Sequence, residues 1–238
     1  MDYLDFKKIG FNLNFFWYRA RRSLIKLLLI KHKVKNMLVL EVGCGVGSQL
    51  ASLSNFGNRV LGSDINHEAL KKASDLGFNV FYQNMMDPVI EADKYDVICA
   101  FDVLEHIEDD GLAISNIYRS LKSHGLFIFS VPAFQFLFSS HDVYMKHYRR
   151  YSKSEIKNKI INNNFELLDI FYWNFILFFP TAIMRLFSKK NKPKSDVQII
   201  PKFLNLFLFN ILSFENFLIK LGLKFPLGVS LFGVARKK

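Results

Sequence analysis

The chain has 238 residues, half of them apolar, which suits one α/β domain with an insertion and a large buried core. Its net charge of +11 lies at the ends: residues 1–36 carry nine Lys and Arg against two acids, and residues 188–238 carry ten against two. Two cysteines, Cys44 and Cys99, without metal-ligand spacing, exclude a disulfide framework and favour a reducing, cytoplasmic setting. Basic ends suit an anionic lipid surface or nucleic acid; the alternative is a solvated surface without a partner.

The first predicted element is a basic amphipathic helix over residues 12–31, within an N-terminal unit 1–36 that we expect to cap the site. The extreme N-terminus lacks a long apolar core, so no signal peptide is predicted. Residues 37–173 then alternate strands with helices, which predicts right-handed βαβ units in a doubly wound, Rossmann-like α/β sheet. The predicted strands are 37–42, 59–64, 79–84, 95–101, 126–132 and 165–173, and the predicted helices are 48–57, 66–77, 110–125 and 152–163.

An apolar helical insertion, residues 174–227, separates this core from a final strand at 228–238. We therefore predict seven strands, with the last one antiparallel and added at the edge of the sheet. The apolar stretches 170–187 and 203–223 both contain charges, which argues against spanning helices. They are typical of core helices or of helices lying on a membrane face. A basic linker, residues 188–196, lies between them.

The stretch "LEVGCGVG", residues 40–47, places a carboxylate and three glycines at the end of the first predicted strand. Glycine allows a tight turn and lets a ligand approach main-chain N–H groups closely. The third glycine comes one position too early for the dinucleotide pattern G-x-G-x-x-G. Glu41 would repel a pyrophosphate but would suit a ligand that carries an ammonium group.

These residues resemble the first motif of class I S-adenosylmethionine (SAM)-dependent methyltransferases. "QNMMD" (83–87), "AFDVLEHIED" (100–109) and "LKSHGLFIFSVP" (121–132) resemble later motifs of that family, although His124 stands where Gly is more usual. The resemblance covers about residues 37–170 and implies SAM as the cofactor. The cofactor-binding residues that it implies are Glu41, Gly43, Gly45, Gly47, Asp64, Ile65, Asn84, Met85, Phe101 and Asp102.

The flanking stretches 15–25, 139–156 and 225–237 resemble a bacterial subgroup of the type 11/12-like methyltransferases found in glycan-cluster settings. This resemblance implies methylation of a small-molecule or glycan acceptor at oxygen, and that acceptor could be lipid-linked. N- or C-methylation of a small metabolite is the alternative.

An oxygen acceptor needs a base, and His106 and His141 are the candidates. His147, Arg149, Arg150 and Tyr151 are predicted to bind the acceptor, since the planar fork of Arg suits phosphate and carboxylate. For each of them the alternative is an ordinary surface or core residue.

The set His141, Asp142 and His147 lacks a recognisable metal-ligand spacing, so no metal is predicted. Two other classes of function stay open: an NAD-dependent oxidoreductase and a non-catalytic SAM-binding protein. A base-binding signature is missing, which disfavours nucleic acid as a partner. We expect a cytoplasmic protein, with peripheral contact to the anionic inner face of the membrane as an additional hypothesis, and the sequence does not predict the oligomeric state.

Overall fold

A seven-stranded mixed sheet forms the centre of the molecule in a computed structural model, which describes residues 14–88, 91–188 and 200–238. The strand order is β3-β2-β1-β4-β5-β7-β6; strands β1 to β5 are parallel, and β7 is antiparallel to both neighbours. The strands are β1 (Leu38–Val42), β2 (Arg59–Asp64), β3 (Val80–Tyr82), β4 (Tyr95–Phe101), β5 (Leu121–Pro132), β6 (Phe165–Trp173) and β7 (Ser230–Lys237).

Eight α-helices accompany these strands in the described part of the chain. They are α1 (Phe16–Lys31), α2 (Leu50–Leu53), α3 (His67–Asp75), α4 (Asp110–Ser120), α5 (Ser140–Tyr144), α6 (Lys153–Asn162), α7 (Phe178–Ser188) and α8 (Lys202–Lys220). The predicted first two residues of the N-terminal helix and nearly all of the predicted linker 188–196 lie outside the described residues.

Helices cover both faces of the sheet, as the near-continuous apolar strands predict. Val39 of β1 and Val97 of β4 pack in the cluster formed with α1 and α8. Their neighbours Leu40 and Ile98 point the opposite way, into the cluster formed with α4 and α6. The doubly wound sheet predicted from the sequence is therefore confirmed.

The predicted edge position of the last strand is wrong. β7 lies between β5 and β6, where Phe232 is paired with Ser130 on one side and with Phe171 on the other. A Cβ atom at Gly233 would come within 2.2 Å of the Phe129 ring, so close packing inside the sheet requires glycine there. Alternating apolar residues predict a strand, but they do not specify its neighbours.

Two predicted helix boundaries also differ from the structure. The helix predicted at 110–125 ends at Ser120, because Leu121 already pairs with Tyr95 as the first residue of β5. The helix predicted at 48–57 breaks near Phe56, whose φ of +63° is not helical. By contrast, the predicted N-cap of α6 is confirmed: the Ser152 side chain accepts a hydrogen bond from the Glu155 N–H at 3.1 Å.

The carboxyl ends of the parallel strands create the crevice that this fold offers to ligands. The strand order reverses between β1 and β4, so the loops after these two strands diverge and leave space. Gly43 follows β1, Asp64 ends β2 and Asp102 follows β4, which brings residues from three motifs to one edge of the sheet.

Candidate functional site

The glycine loop after β1 has a conformation that most residues avoid. Gly43 and Gly45 have φ values of +65° and +54°, and a Cβ atom at Gly43 would lie 2.5 Å from the Val103 side chain. The Gly45 N–H donates a 2.8 Å hydrogen bond to Asp64, whose other carboxylate oxygen accepts from the Asn66 N–H, also at 2.8 Å. Asp64 therefore holds the glycine loop against the end of β2.

A cleft of about 1220 Å³ opens beside this loop. Its lining combines backbone, carboxylate and amide groups with Ile65, an apolar side chain that is 63% exposed. Such a mixture suits a ligand with polar and flat apolar parts. The predicted cofactor residues that line it are Gly43, Gly45, Asp64, Ile65, Asn84, Met85 and Asp102.

Glu41 lies next to this cleft, in a small adjoining cavity that Phe101, Gly43 and Gly45 also line. Burial raises the pKa of Glu41 to about 8, with only partial compensation by the charge of Arg21. One of its carboxylate oxygens has no hydrogen-bond partner among the described residues. A buried carboxylate beside a bare backbone loop suits a ligand that carries an ammonium group, and Asp64 presents a second carboxylate to the neighbouring cleft.

The predicted cofactor contact of Gly47 is not supported. Within the described residues, Gly47 lines neither this cleft nor the cavity of Glu41. Its φ is +83°, and an added Cβ atom would lie 2.8 Å from the Phe78 ring. Glycine is thus needed here for packing of the loop against Phe78.

A second cleft, of about 370 Å³, lies between α1, the segment 133–150 and α7. Asp102, His106, Met145 and His147 line both clefts and mark the place where they meet. A group bound in one cleft can therefore reach a group bound in the other at this junction. We call the second space the acceptor cleft.

The histidines predicted from the sequence meet at this junction. The ring centroids of His106 and His147 are 4.6 Å apart, and those of His141 and His147 are 6.4 Å apart. Burial lowers the pKa of His106 to about 3, with a further contribution from His147; burial and the charge of Arg185 do the same for His141. Both imidazoles are therefore neutral at physiological pH.

Asp142 organises the acceptor side of the site from a fully buried position. It accepts hydrogen bonds from His147 Nδ1 at 2.8 Å, Arg150 Nε at 2.8 Å and Arg185 at 3.1 Å. Burial alone would raise the pKa of Asp142, but the hydrogen bond from His147 and the charge of Arg185 hold it below its ordinary value. Because the carboxylate is ionised, Nδ1–H of His147 is the donor of this hydrogen bond, and Nε2 is the ring nitrogen that points away from Asp142.

Two of the residues predicted to bind the acceptor do not reach it. Tyr151 is fully buried and donates a 2.7 Å hydrogen bond to Asp110, while Arg149 pairs with Asp110 and donates to the Glu108 carbonyl. Both residues fix the segment to α4, which corrects the sequence prediction. Arg150 lines the acceptor cleft, but Asp142 and the Ala133 carbonyl hold its guanidinium.

Sequence reasoning missed Arg21, which extends from α1 into the junction. Its guanidinium pairs with Asp102 at 2.8 Å and donates to Ser130 at 3.1 Å. The signal was present in the sequence, since Arg21 shares the buried helix face with Leu24 and Leu28 at i+3 and i+7. A cation on the apolar face of an amphipathic helix usually has a buried partner.

Comparisons with known proteins agree with this geometry. Residues 15–170, more than half of the chain, match a family described as "Methyltransferase domain". A probable SAM-dependent methyltransferase of Mycolicibacterium smegmatis is 26% identical over 119 residues, 49% of this chain and 46% of that protein. A ubiquinone biosynthesis O-methyltransferase of Nitrosomonas europaea is 32% identical over 99 residues, 39% of this chain and 42% of that protein. The chain thus spans less than half the length of either relative.

Among solved structures, a SAM-dependent methyltransferase from Mesorhizobium loti superposes with a TM-score of 0.60 at 14% identity. The superposition covers 88% of this chain and 95% of that one, which supports the fold. The long family match, together with a cleft whose carboxylates fit SAM, leads to one conclusion: the chain belongs to the methyltransferase domain family and has the fold of class I SAM-dependent methyltransferases.

Proposed function

We propose that the protein transfers the methyl group of SAM to a hydroxyl oxygen of a small-molecule or glycan acceptor that is lipid-linked. The observation that carries this proposal is the junction of the two clefts, where neutral imidazoles meet the cofactor side. Three aromatic residues of the N-terminal segment, Phe15, Phe16 and Trp17, line the acceptor cleft, which supports a capping role for this segment. The O-methyltransferase named among the relatives supports oxygen as the methylated atom.

The chain's own residues have three tasks in this reaction. Bound SAM supplies a methyl group activated on a sulfonium, with a neutral leaving group. Glu41 and Asp64 hold two ends of the cofactor, which fixes its position relative to the junction. The acceptor hydroxyl must give up its proton as the O–CH₃ bond forms and the S–CH₃ bond breaks, and His106 or His141 takes this proton.

Helix α8 supports a lipid-linked acceptor, because it exposes large apolar side chains and buries polar ones, the reverse of a helix on a water-exposed surface. Phe203, Phe207 and Phe214 are 76%, 60% and 56% exposed, whereas Glu215 and Asn216 are buried. By length and mean hydropathy, 1.3, this helix is the one in the described residues that could cross a membrane. Its inner face is instead anchored on the domain, which favours a helix that lies in the membrane plane.

The anchoring contacts are made by the two buried polar residues of α8. Glu215 accepts hydrogen bonds from the backbone N–H groups of Phe175 and Ile176 at 3.0–3.2 Å. Asn216 accepts from the Trp173 indole at 2.9 Å and donates to the Ala20 carbonyl at 2.8 Å. The phenylalanines are consequently directed outward.

Helix α7 continues this apolar surface and also borders the acceptor cleft. Phe179, Ile183 and Phe187 are 60%, 58% and 82% exposed, while Thr181 and Arg185 of the same helix line the cleft. A lipid-linked acceptor could therefore pass from the bilayer surface into the cleft. The basic residues that flank α8 complement anionic headgroups, which fits a cytoplasmic protein bound at the inner face of the membrane.

Methyl transfer is tested with isotopically labelled SAM and separate lipid, glycan and small-metabolite extracts. We expect the label in the lipid or glycan fraction, in a product that resists mild hydrolysis as a methyl ether does. His106→Gln or His141→Gln should lower the rate of methyl transfer 10²- to 10⁴-fold with unchanged SAM binding. His124→Gln, at an exposed position, serves as the control. Tight SAM binding without label in any fraction would instead favour a non-catalytic SAM-binding protein.

Membrane contact is tested by flotation with vesicles that contain anionic phosphatidylglycerol. We expect the wild-type protein to float at low salt and less so at high salt, because both apolar burial and charge contribute. The triple variant Phe203→Ser, Phe207→Ser, Phe214→Ser is expected to stay at the bottom of the gradient. Leu112→Ser removes an exposed leucine from α4 and is the matched control. Equal flotation of the two variants would contradict the membrane role of α8.

A further inference from the structure

We infer that Glu105, His106 and His147 form a binding site for a divalent transition-metal ion at the junction of the two clefts. One ligand atom from each of these residues lies within 4.8 Å of the other two. Glu105 and His106 are adjacent on the 3₁₀ turn Leu104–His106 that follows β4, and His147 comes from the segment after α5. The fold therefore brings two adjacent residues, Glu105 and His106, together with His147, which lies about forty positions further along the sequence.

Glu105 is the strongest reason to expect a cation here. Its side chain is fully buried, and neither carboxylate oxygen has a hydrogen-bond partner among the described residues. The nearby Arg21 is engaged by Asp102 and Ser130, at 2.8 and 3.1 Å. Burial of a carboxylate without a partner destabilises the folded protein. A metal ion bound to both imidazoles and to this carboxylate removes that cost.

His147 is oriented as a metal-ligating histidine is expected to be. Its Nδ1–H donates to Asp142 at 2.8 Å, which directs Nε2 away from that carboxylate. A carboxylate behind a histidine fixes the tautomer and raises the basicity of the ligand atom. Asp142 is itself fixed by Arg150 and Arg185, so it belongs to the support of the site and not to its ligands. Of the set His141, Asp142 and His147, only His147 is therefore a ligand of this site.

The ligand set indicates both the type of metal and its role. Two imidazoles with one carboxylate suit Zn²⁺, Co²⁺, Fe²⁺ or Mn²⁺ better than Mg²⁺ or Ca²⁺, which prefer oxygen ligands. Three protein ligands leave at least one coordination position open. His106 and His147 line both clefts, and Glu105 lines the acceptor cleft, so that position faces the acceptor. The catalytic role rests on the proposed O-methylation: the ion would bind the acceptor oxygen and facilitate loss of its proton to His141.

The test measures metal binding itself, without SAM and without acceptor. Tag-free protein is stripped with a chelator and titrated with Co²⁺, followed by visible absorption, and with Zn²⁺, followed by calorimetry. We expect one equivalent to bind, with at least tenfold weaker binding in Glu105→Gln and in His147→Gln. His124→Gln, which removes an exposed histidine, should bind as the wild type does.

Thermal melting of the metal-free proteins shows that the variants fold. Glu105→Gln should melt no lower than the wild type, because it replaces an unsatisfied buried carboxyl group with a neutral amide of similar shape. Wild-type binding no tighter than that of the two folded ligand variants would overturn the inference. Since this result is independent of methyl transfer, it separates failure of the metal site from failure of the proposed reaction.

Discussion

Replacement of Glu41 with Gln is expected to weaken SAM binding and, at the same time, to stabilise the ligand-free protein. The carboxyl group is fully buried near the end of β1, and one of its oxygens has no hydrogen-bond partner in the described part of the chain, so the ammonium group of a ligand can bind it. A charge-assisted hydrogen bond of this kind contributes about 1.5–3 kcal/mol. We therefore expect Gln at this position to weaken binding about 10- to 100-fold, as measured by calorimetry with SAM or its demethylated product.

The stability effect follows from the pKa of Glu41, which the folded protein raises from 4.5 to about 8. A group whose folded pKa is raised binds its proton more tightly in the native state. The native protein therefore loses stability as pH rises from the unfolded value of 4.5 to the folded value near 8. At neutral pH this lowers the free energy of unfolding by on the order of 3 kcal/mol. Gln at this position has no ionisable group and avoids the loss.

These two effects give a pH signature that a general loss of structure would not produce. The melting temperature of Glu41→Gln should exceed that of the wild type by an amount that grows between pH 4.5 and 8. Wild-type affinity for SAM should rise with pH up to about pH 7.5, below the pKa of the ligand's own amino group, and the variant should lack this rise. Glu166→Gln, on the exposed side of β6, is the control. A variant that melts lower yet binds SAM normally would disprove the assigned role.

The cleft beside the glycine loop could be predicted from the sequence because the residues predicted to line it stand next to strand ends. Glu41 and Asp64 lie within the last two positions of β1 and β2, and the carboxyl ends of parallel strands meet at one edge of the sheet. A position at the end of an apolar run in the sequence therefore corresponds to a position at the ligand-binding edge of the sheet. Gly47 shows the limit of this reasoning. The sequence does not distinguish a glycine that is required for packing, here against Phe78, from a glycine that is required for ligand binding.

The acceptor side could be predicted only in part, because its residues come from a segment without regular periodicity. His106, His141 and His147 do gather at the junction, whereas Tyr151 turns inward to Asp110. Adjacent polar residues on an irregular segment point in different directions, and no repeat in the sequence specifies which one faces the cleft. The buried position of Glu105 was hidden for a related reason: an acid at a helix start usually faces water.

Removal of the Asp142 carboxylate should have the largest effect on stability. Asp142→Asn removes the buried carboxylate that pairs with the guanidinium groups of Arg150 and Arg185. Loss of one partner from a buried ion pair typically costs about 3–5 kcal/mol. We expect a loss of this size in the free energy of unfolding at pH 7, as measured by denaturant titration.

A double-mutant cycle with Arg185→Met separates this electrostatic cost from general disruption of the core. If loss of the ion pair between Asp142 and Arg185 causes part of the destabilisation, the double variant Asp142→Asn, Arg185→Met will recover stability relative to Asp142→Asn alone. The pH dependence gives a second criterion. Because the folded protein lowers the pKa of Asp142, the stability that it contributes is present above its ordinary pKa of 3.8 and is lost as pH falls through the lower folded value. The difference in stability between wild type and Asp142→Asn should therefore shrink in acid, and a constant difference would mean that shape at this position matters more than charge.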